Sequence, residues 1–287
     1  MHLTGENTGI QVIKMVNKIK FLFLFLICNL VFSQNYTVVS TTSSISSVLK
    51  EIGKEKLNVI TLIPPGHCPG HFDIKVKDIQ ILEKTPFLFA HGYENYLEKI
   101  KRCIKNPHFK IYILKEKENW QIPSVHLEVL KETFKILSTL FPKEKNYFYK
   151  NFLRVKGKIE NFEKEIKRNM EENGLIGKKI ICNKYLTDLL QYLGFKVVDT
   201  YGRKESLTPR KISSLIEKCR EENVEIVIDN FQAGPDTGKV ISEQLKIYHV
   251  VFSNFPGVFK NTEDLTETLK ENIKRILKKY GKEYRTY

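Results

Sequence analysis

A turn rich in histidine and cysteine is the part of the sequence best suited to chemistry. Residues 64–73 read PPGHCPGHFD and follow an apolar stretch, and they include His67, Cys68 and His71. Imidazole and thiolate are preferred ligands of zinc and related late transition metals. The prolines and glycines predict a tight turn that directs several side chains at one point. We therefore expect part of a metal site here; the alternative is a structural turn whose histidines bond only to the backbone.

One turn rarely supplies a complete set of metal ligands, so further ligands are expected from other strand ends. His91 directly follows the apolar stretch 87–90, which predicts a strand, and is the next candidate ligand. Its alternative role is to cap the helix expected from Glu94. His126 is a weaker candidate, because it lies at or near the start of a helix and is also explained as a core or surface histidine. His108 and His249 receive no role.

Strands and helices alternate along the first part of the chain. This order predicts βαβ units and a parallel sheet. Strands are expected at 36–39, 57–63 and 87–90. A helix through Ile52 is expected to begin within the hydroxyl-rich segment 41–47, and further helices are expected at 76–83 and 94–104. The same alternation resumes after Gly174, with strands at 179–182, 196–200, 225–228 and 249–252, separated by helices and followed by a final helix at 265–280.

A long helix is expected between these two α/β lobes, from about residue 142 to residue 172. Apolar residues recur there at helical spacing without proline. The alternative is two helices broken near Gly157. The expected fold class is therefore α/β, with two lobes containing parallel sheets, a long connecting helix and a ligand cleft between the lobes. The expected boundaries are 34–141, 142–173 and 174–287.

The cleft is the expected place for chemistry, because ligands of open α/β sheets bind beyond the carboxyl ends of the strands. In the second lobe the polar residues at strand ends are Asn183, Asp229, Asn230 and Asn254. They are expected to complete a metal site directly or through water.

The segment 1–33 predicts export. Residues 21–32 read FLFLFLICNLVF after several lysines, which is typical of a secretory signal and too short for an ordinary transmembrane helix. Cleavage is expected after Ser33, although an uncleaved leader would act as an anchor, and the true start is Met1 or Met15. Cys28 is interpreted as part of the apolar run and not as a lipidation site. The four later cysteines predict zero or one disulfide.

The basic composition raises the question of nucleic-acid binding, but the charge pattern and the motifs argue against it. Lys and Arg number 47 against 33 Asp and Glu, a formal net charge of +14 over 287 residues. The opposite charges are interleaved, as on solvated helix faces, and no aromatic and basic RNA-binding motif is present.

Four segments carry a resemblance to a known family. They are LIPPGHCPGHFDIKVKDIQIL, FPKEKNYFYKNF, CNKYLTDLLQYLGFKVV and VFSNFPGVFKNTEDLTETLKENI. Together they resemble the zinc and manganese receptors of ABC transporters, the cluster A-I or ZnuA/TroA-like binding proteins. The resemblance implies two α/β lobes on a rigid helix, a metal held between the lobes, and delivery to a membrane permease driven by a cytoplasmic ATPase.

The sequence departs from the family pattern at the ligand positions. Gly70 stands where the family has a histidine after the turn proline, and Glu118 replaces the histidine before Trp120. Asn183 corresponds to a second-lobe histidine, and Asn254 to the late acidic ligand. The resemblance therefore transfers the turn but not a full ligand set.

We expect an exported, non-enzymatic solute-binding protein that captures a divalent transition metal, with zinc as the first candidate. It is expected to act as a monomer, in the periplasm or at the cell surface, near the membrane that holds its permease. One alternative is a receptor for a chelated metal or small organic solute. Another is a secreted metallohydrolase, against which stand the missing HExxH and GxSxG motifs.

Overall fold

The computed structural model describes residues 35–115 and 118–286. The predicted export segment 1–33 lies outside these residues. Within the described part of the chain, no helix is both long and apolar enough to cross a lipid bilayer.

The first lobe is a four-stranded sheet in the order β2-β1-β3-β4. β3 pairs in parallel with both β1 and β4, and its residues Leu88 to Ala90 are buried. The strands are β1 (Tyr36–Ser40), β2 (Leu57–Thr61), β3 (Phe87–Ala90) and β4 (Lys110–Ile113). The helices are α1 (Ser43–Gly53), α2 (Val76–Lys84) and α3 (Leu97–Cys103).

Local capping explains where the first two helices begin. The Thr42 hydroxyl accepts a hydrogen bond from the Ile45 amide and caps α1. The Asp78 carboxylate accepts from the backbone amide of Lys75 at 2.9 Å and fastens the start of α2. Each cap follows a strand or its turn, so the strand ends that precede these helices are held in place.

Two long helices follow the first sheet, α4 (Pro123–Leu140) and α5 (Lys145–Glu172). α5 is continuous over 28 residues, or roughly 42 Å at 1.5 Å per residue. The expectation of one long helix is confirmed, and the alternative of a break at Gly157 is excluded. A Cβ added to Gly157 would meet no atom within 4 Å, so this glycine is not required by close packing.

The second lobe is a four-stranded parallel sheet in the order β6-β5-β7-β8. β7 is buried along its whole length because it lies inside the sheet with helices against it. The strands are β5 (Lys179–Asn183), β6 (Lys196–Tyr201), β7 (Ile226–Asn230) and β8 (Tyr248–Phe252). The helices are α6 (Thr187–Tyr192), α7 (Pro209–Glu221), α8 (Asp236–Leu245) and the final α9 (Leu265–Lys279).

A buried hydrogen-bond network joins the lobes. Asn272 of α9 donates to the side-chain oxygen of Gln121 and to the backbone oxygen of Ser253, both at 2.9 Å. Gln121 also donates to Ser253 O at 2.7 Å. Asn272 is fully buried. The segment that leaves the first lobe is thereby tied to the loop after β8.

Two differences from the sequence expectations affect the first lobe. β4 was not anticipated, and α3 begins at Leu97, whereas the helix was expected from Glu94. Glu94 stands before the helix because its carboxylate accepts hydrogen bonds from the turn after β3. All four cysteines in the described residues are free, as the expectation of zero or one disulfide allowed.

Candidate functional site

A cavity of about 450 Å³ lies between the two lobes. Residues just beyond the carboxyl ends of strands in both sheets line it, as expected for parallel sheets. From the first lobe these are Cys68 and His91, and from the second they are Lys184, Arg203, Asn230 and Asn254. The cleft expected from the sequence is therefore present at the strand ends.

Arg203 reaches from the second lobe to the histidine and cysteine turn of the first. Its guanidinium donates to Nε2 of His71 at 2.9 Å and contacts Sγ of Cys68. The guanidinium also lies over the ring of Tyr185, 5.5 Å from the ring centroid. A cation from one lobe therefore stands against His71, a leading candidate metal donor of the other lobe, and against the weaker candidate Cys68.

His91 is held by aromatic stacking beside the cavity. Its ring stacks on Tyr93 at 4.9 Å and contacts Trp120 at 4.5 Å between ring centroids. Nε2 of His91 lies 2.9 Å from the Thr42 hydroxyl. Burial lowers the pKa of His91 to about 4, against the opposing attraction of the Glu94 carboxylate. The imidazole is therefore neutral near pH 7, the form that binds metals.

Glu94 orders the turn that carries His91. Its Oε1 accepts from the Thr41 hydroxyl at 2.5 Å and from the His91 amide at 3.0 Å, and its Oε2 accepts from the Gly92 amide at 2.7 Å. Glu94 is 5% exposed. All three donors belong to the protein, so the carboxylate stabilises the turn and does not face a ligand.

Two candidate asparagines of the second lobe already have partners within the protein. Asn183 is buried, its Oδ1 accepts from the Tyr185 amide at 3.2 Å, and its Nδ2 donates to Gly202 O at 3.4 Å. Asn254 lines the cavity, accepts from Asn119 Nδ2 and donates to Tyr185 O, both at 2.9 Å. Both side chains therefore stabilise loops at the strand ends.

Asp229 is likewise engaged inside the second lobe. The Tyr201 hydroxyl donates to its Oδ1 at 2.6 Å, and Nε2 of His249 lies 2.7 Å from its Oδ2. Asp229 is fully buried. Burial and this carboxylate raise the pKa of Tyr201. Gly238 packs so closely that an added Cβ would overlap the Asp229 carboxylate and the Tyr201 hydroxyl, so only glycine fits beside this pair.

The remaining candidates lie apart from one another. His67 is exposed and does not appear among the described residues that line the cavity, whereas the exposed Glu118 does. His126 is buried in α4, where its Nε2 lies 3.0 Å from Oε2 of Glu51, so we do not assign it to the site. Among the described residues, no three or more His, Cys, Asp or Glu side chains are grouped so that they could hold a metal ion.

Sequence reasoning did not single out Arg203 or Tyr185. Arg203 is separated by one residue from the end of β6, so the rule that strand ends face the cleft could have indicated it. Its contact with Cys68 and His71 depends on how the lobes pack and has no signal in the sequence.

The family model for component A of periplasmic zinc-uptake complexes matches residues 38–279. The chain belongs to this family. Curated relatives are named as substrate-binding lipoproteins of metal ABC transporters, and the chain is accordingly a non-enzymatic, extracytoplasmic substrate-binding protein of this kind.

Curated relatives cover most of the chain at low identity. A metal ABC transporter substrate-binding lipoprotein, SloC of Streptococcus mutans, is 25% identical over 66% of this chain and 70% of its own length. The manganese ABC transporter substrate-binding lipoprotein PsaA of Streptococcus anginosus is 22% identical over 77% of this chain and 81% of its own length. The family therefore includes receptors named for different metals.

Solved structures confirm the two-lobed fold. A crystal structure of ZnuA superposes with a TM-score of 0.72 at 16% identity, covering 84% of this chain and 98% of the other. At this identity the likeness concerns the fold, namely two α/β lobes with parallel sheets and a long helix.

Proposed function

We propose that the chain captures a divalent transition metal in the cleft between its lobes and presents it to the permease, with zinc as the preferred metal. The observation that carries this proposal is the cavity itself. It lies at the carboxyl ends of both sheets, beside the histidine and cysteine turn. A ligand held there contacts both lobes, so its binding favours one relative arrangement of the lobes that a permease can recognise.

The donor atoms of the first lobe support zinc. The thiol of Cys68 and the imidazole of His71 both lie against the guanidinium of Arg203, and the imidazole of His91 lies on the same side of the cleft. Thiolate and imidazole donors favour zinc over manganese, which prefers oxygen ligands. We propose Cys68, His71 and His91 as individual donors to the metal, with the exposed Glu118 as an oxygen donor. Because the described residues do not group three such side chains into a complete site, the remaining ligands arrive with the metal.

The remaining features of the transport role are also proposals. We propose that residues 1–33 direct export, that residues 34–141 and 174–287 form the lobes on either side of the helical segment 142–173, and that the receptor works as a monomer near the membrane. The net positive charge supports residence near an anionic membrane surface.

The test is metal binding by the purified chain. Equilibrium dialysis with zinc, manganese, iron, cobalt and nickel, each offered as the free ion and with citrate, followed by elemental analysis, is expected to show zinc retained most strongly. The absence of retained metal in every form would overturn the proposal.

A matched pair of variants locates the site. We expect His71→Ala to weaken zinc retention by at least about tenfold, because it removes a proposed donor. His108→Ala removes an exposed imidazole outside the cavity and is expected to leave retention unchanged. Equal losses in both variants would place the metal elsewhere.

A further inference from the structure

The second-lobe side of the cavity is rich in hydrogen-bond donors. Lys184 and Arg203 bring two positive charges to it. Within the described residues their side chains contact the Tyr185 ring and, for Arg203, His71 and Cys68, none of which carries a carboxylate. Asn230 adds an amide from the end of β7. Groups that only donate hydrogen bonds are poor metal ligands and good partners for carboxylate oxygens.

Two of these donors are unsatisfied. The Oδ1 of Asn230 accepts from the Ala233 amide at 2.9 Å, which fixes the side chain so that Nδ2 is the group left to bond. Among the described residues, neither Nδ2 of Asn230 nor Nε of Arg203 has a hydrogen-bond partner. Asn230 is only 2% exposed. Buried unpaired donors are costly, and an acceptor oxygen supplied by a ligand would remove that cost.

The first-lobe turn is not open to a bare ion in this arrangement. The guanidinium of Arg203 occupies Nε2 of His71 and contacts Sγ of Cys68. A metal cation binding to both atoms would have to displace this guanidinium and would be repelled by its charge. A ligand that carries negative charge would instead be attracted to the same place.

The size and lining of the cavity suit an organic group. A volume of about 450 Å³ falls within the range of pockets for small organic ligands and far exceeds the space of one zinc ion. Four aromatic side chains lie along it: Tyr93, Trp120, Tyr185 and Phe255. The exposed carboxylates Glu118 and Asp188 also line it, so the cavity offers groups of both charges.

We propose that the receptor takes its metal as a complex with a small carboxylate chelator, an inference that rests on the proposed function. Arg203, Lys184 and Asn230 bind the carboxylate oxygens of the chelator, and the move of the Arg203 guanidinium onto the chelator frees Cys68 and His71. The metal centre faces the carboxylates and the first-lobe donors, and the aromatic side chains pack against the organic part. The second lobe thus selects the chelator, and the first lobe contacts the metal.

The first experiment asks what is retained. Equilibrium dialysis is performed with radioactive zinc and carbon-labelled citrate, together and separately, and repeated with nitrilotriacetate. We expect zinc and chelator to be retained in equal amounts, at least about tenfold more tightly than either component alone. Retention of zinc as tight without chelator as with it, or of chelator as tight without zinc as with it, would overturn the proposal.

The second experiment uses variants whose predicted effects have opposite signs for the two ligands. Asn230→Asp keeps the oxygen that accepts from Ala233 but replaces the donor with a negative charge. We expect it to weaken binding of the zinc–citrate complex by at least about tenfold while binding of free zinc stays the same or strengthens. Asn223→Asp, the same change at an exposed site, is the control. Weakening of both ligands to the same degree would contradict the proposal.

Arg203→Gln tests the guanidinium. It is expected to weaken binding of zinc–citrate by at least about tenfold and to leave or improve binding of free zinc, whereas the exposed Arg210→Gln changes neither. Unchanged binding of the complex in Arg203→Gln would overturn the assignment. If no zinc is retained in any form by the wild-type chain, the proposed function fails; if only free zinc is retained, this inference alone fails.

Discussion

The two walls of the cleft differ in chemistry although the same fold builds both. In the first lobe, the turns after β2 and β3 place the Cys68 thiol and the His91 imidazole in the cavity lining, and the exposed His71 imidazole contacts Arg203 of that lining. In the second lobe, the corresponding strand ends carry asparagines, a lysine and an arginine. Parallel sheets place side chains at their carboxyl ends in both cases, and residue type alone decides what those side chains bind.

A residue at a position suited to a ligand contact can instead stabilise the protein's own backbone. Asn183 caps the turn that follows β5, and Asn230 caps the turn that follows β7. Their oxygens accept from the backbone, so they do not present oxygen to a metal. A two-lobed receptor with a metal-binding wall and a donor-rich wall is matched to cargo that has both a metal and acceptor oxygens.

Removing the buried hydrogen-bond network that joins the two lobes is expected to have the largest effect on the free energy of unfolding. Asn272→Leu leaves the Ser253 amide and the Gln121 side-chain oxygen without their buried partner, whereas Ser253 O keeps its hydrogen bond from Gln121. We expect the free energy of unfolding to fall by about 2–4 kcal/mol, measured by urea denaturation. Lys158→Gln removes a partly exposed ion pair with Asp264 and is the control, with an expected loss of at most about 1 kcal/mol. Similar losses would show that the network does not join the walls.

Weakening the turn after β3, in the first-lobe wall, is expected to lower the free energy of unfolding by a smaller amount. Glu94→Gln replaces one of the two oxygens that accept from the turn after β3, and sets an amide group against one of their donors. We expect a loss of about 1–2 kcal/mol in unfolding free energy and weaker zinc retention, since the turn carries His91. Glu98→Gln changes an exposed acid of α3 and should alter neither quantity. Unchanged stability in Glu94→Gln would remove Glu94 from this role.

A substitution can give the second-lobe wall a metal-binding side chain like those of the first-lobe wall. Asn254→Asp places a carboxylate where the family pattern has its late acidic ligand. We expect affinity for free zinc to rise about tenfold, which is about 1.4 kcal/mol, and affinity for zinc–citrate to fall, both by titration calorimetry. Asn261→Asp introduces the same charge at an exposed position outside the cavity. A rise for zinc–citrate in Asn254→Asp would contradict the division between the walls.

The smallest effect concerns the helix that joins the lobes. Gly157→Ala adds a methyl group where no atom lies within 4 Å and improves helix propensity. We expect the free energy of unfolding, measured by thermal denaturation, to rise by about 0.5–1 kcal/mol. Binding of free zinc and of zinc–citrate should stay unchanged. A loss of stability would mean that α5 depends on the glycine.

Much of the fold was predictable because its signals are local. The strand at 87–90 coincides with β3, and the long helix has the expected extent within a few residues, since apolar periodicity is set by the helical repeat. β4 was missed because it has four residues, of which three are only half-buried, too short a pattern to separate from a loop. The location of the site at the strand ends was predictable, whereas the hydrogen bonds of its side chains were not.

The role of each candidate side chain depended on its neighbours. Nothing adjacent to His126 in sequence indicates that Glu51, 75 residues earlier, lies 3.0 Å from its ring. Likewise Arg203 meets Cys68 across 135 residues of chain. Contacts of this kind arise from packing between elements, which single-sequence patterns do not encode.

The class of fold, the long helix, and the turn with its histidines and cysteine can be read from the chain alone, because they follow from periodicity, turn chemistry and ligand preference over short distances. Which polar groups remain available in the cleft depends on how the elements pack. Asp229 and Asn183 are engaged inside the second lobe, whereas Nδ2 of Asn230 and Nε of Arg203 are left without partners among the described residues. Hydrogen bonding is decided by three-dimensional proximity, so the chemistry of the second wall emerges only once the chain has folded.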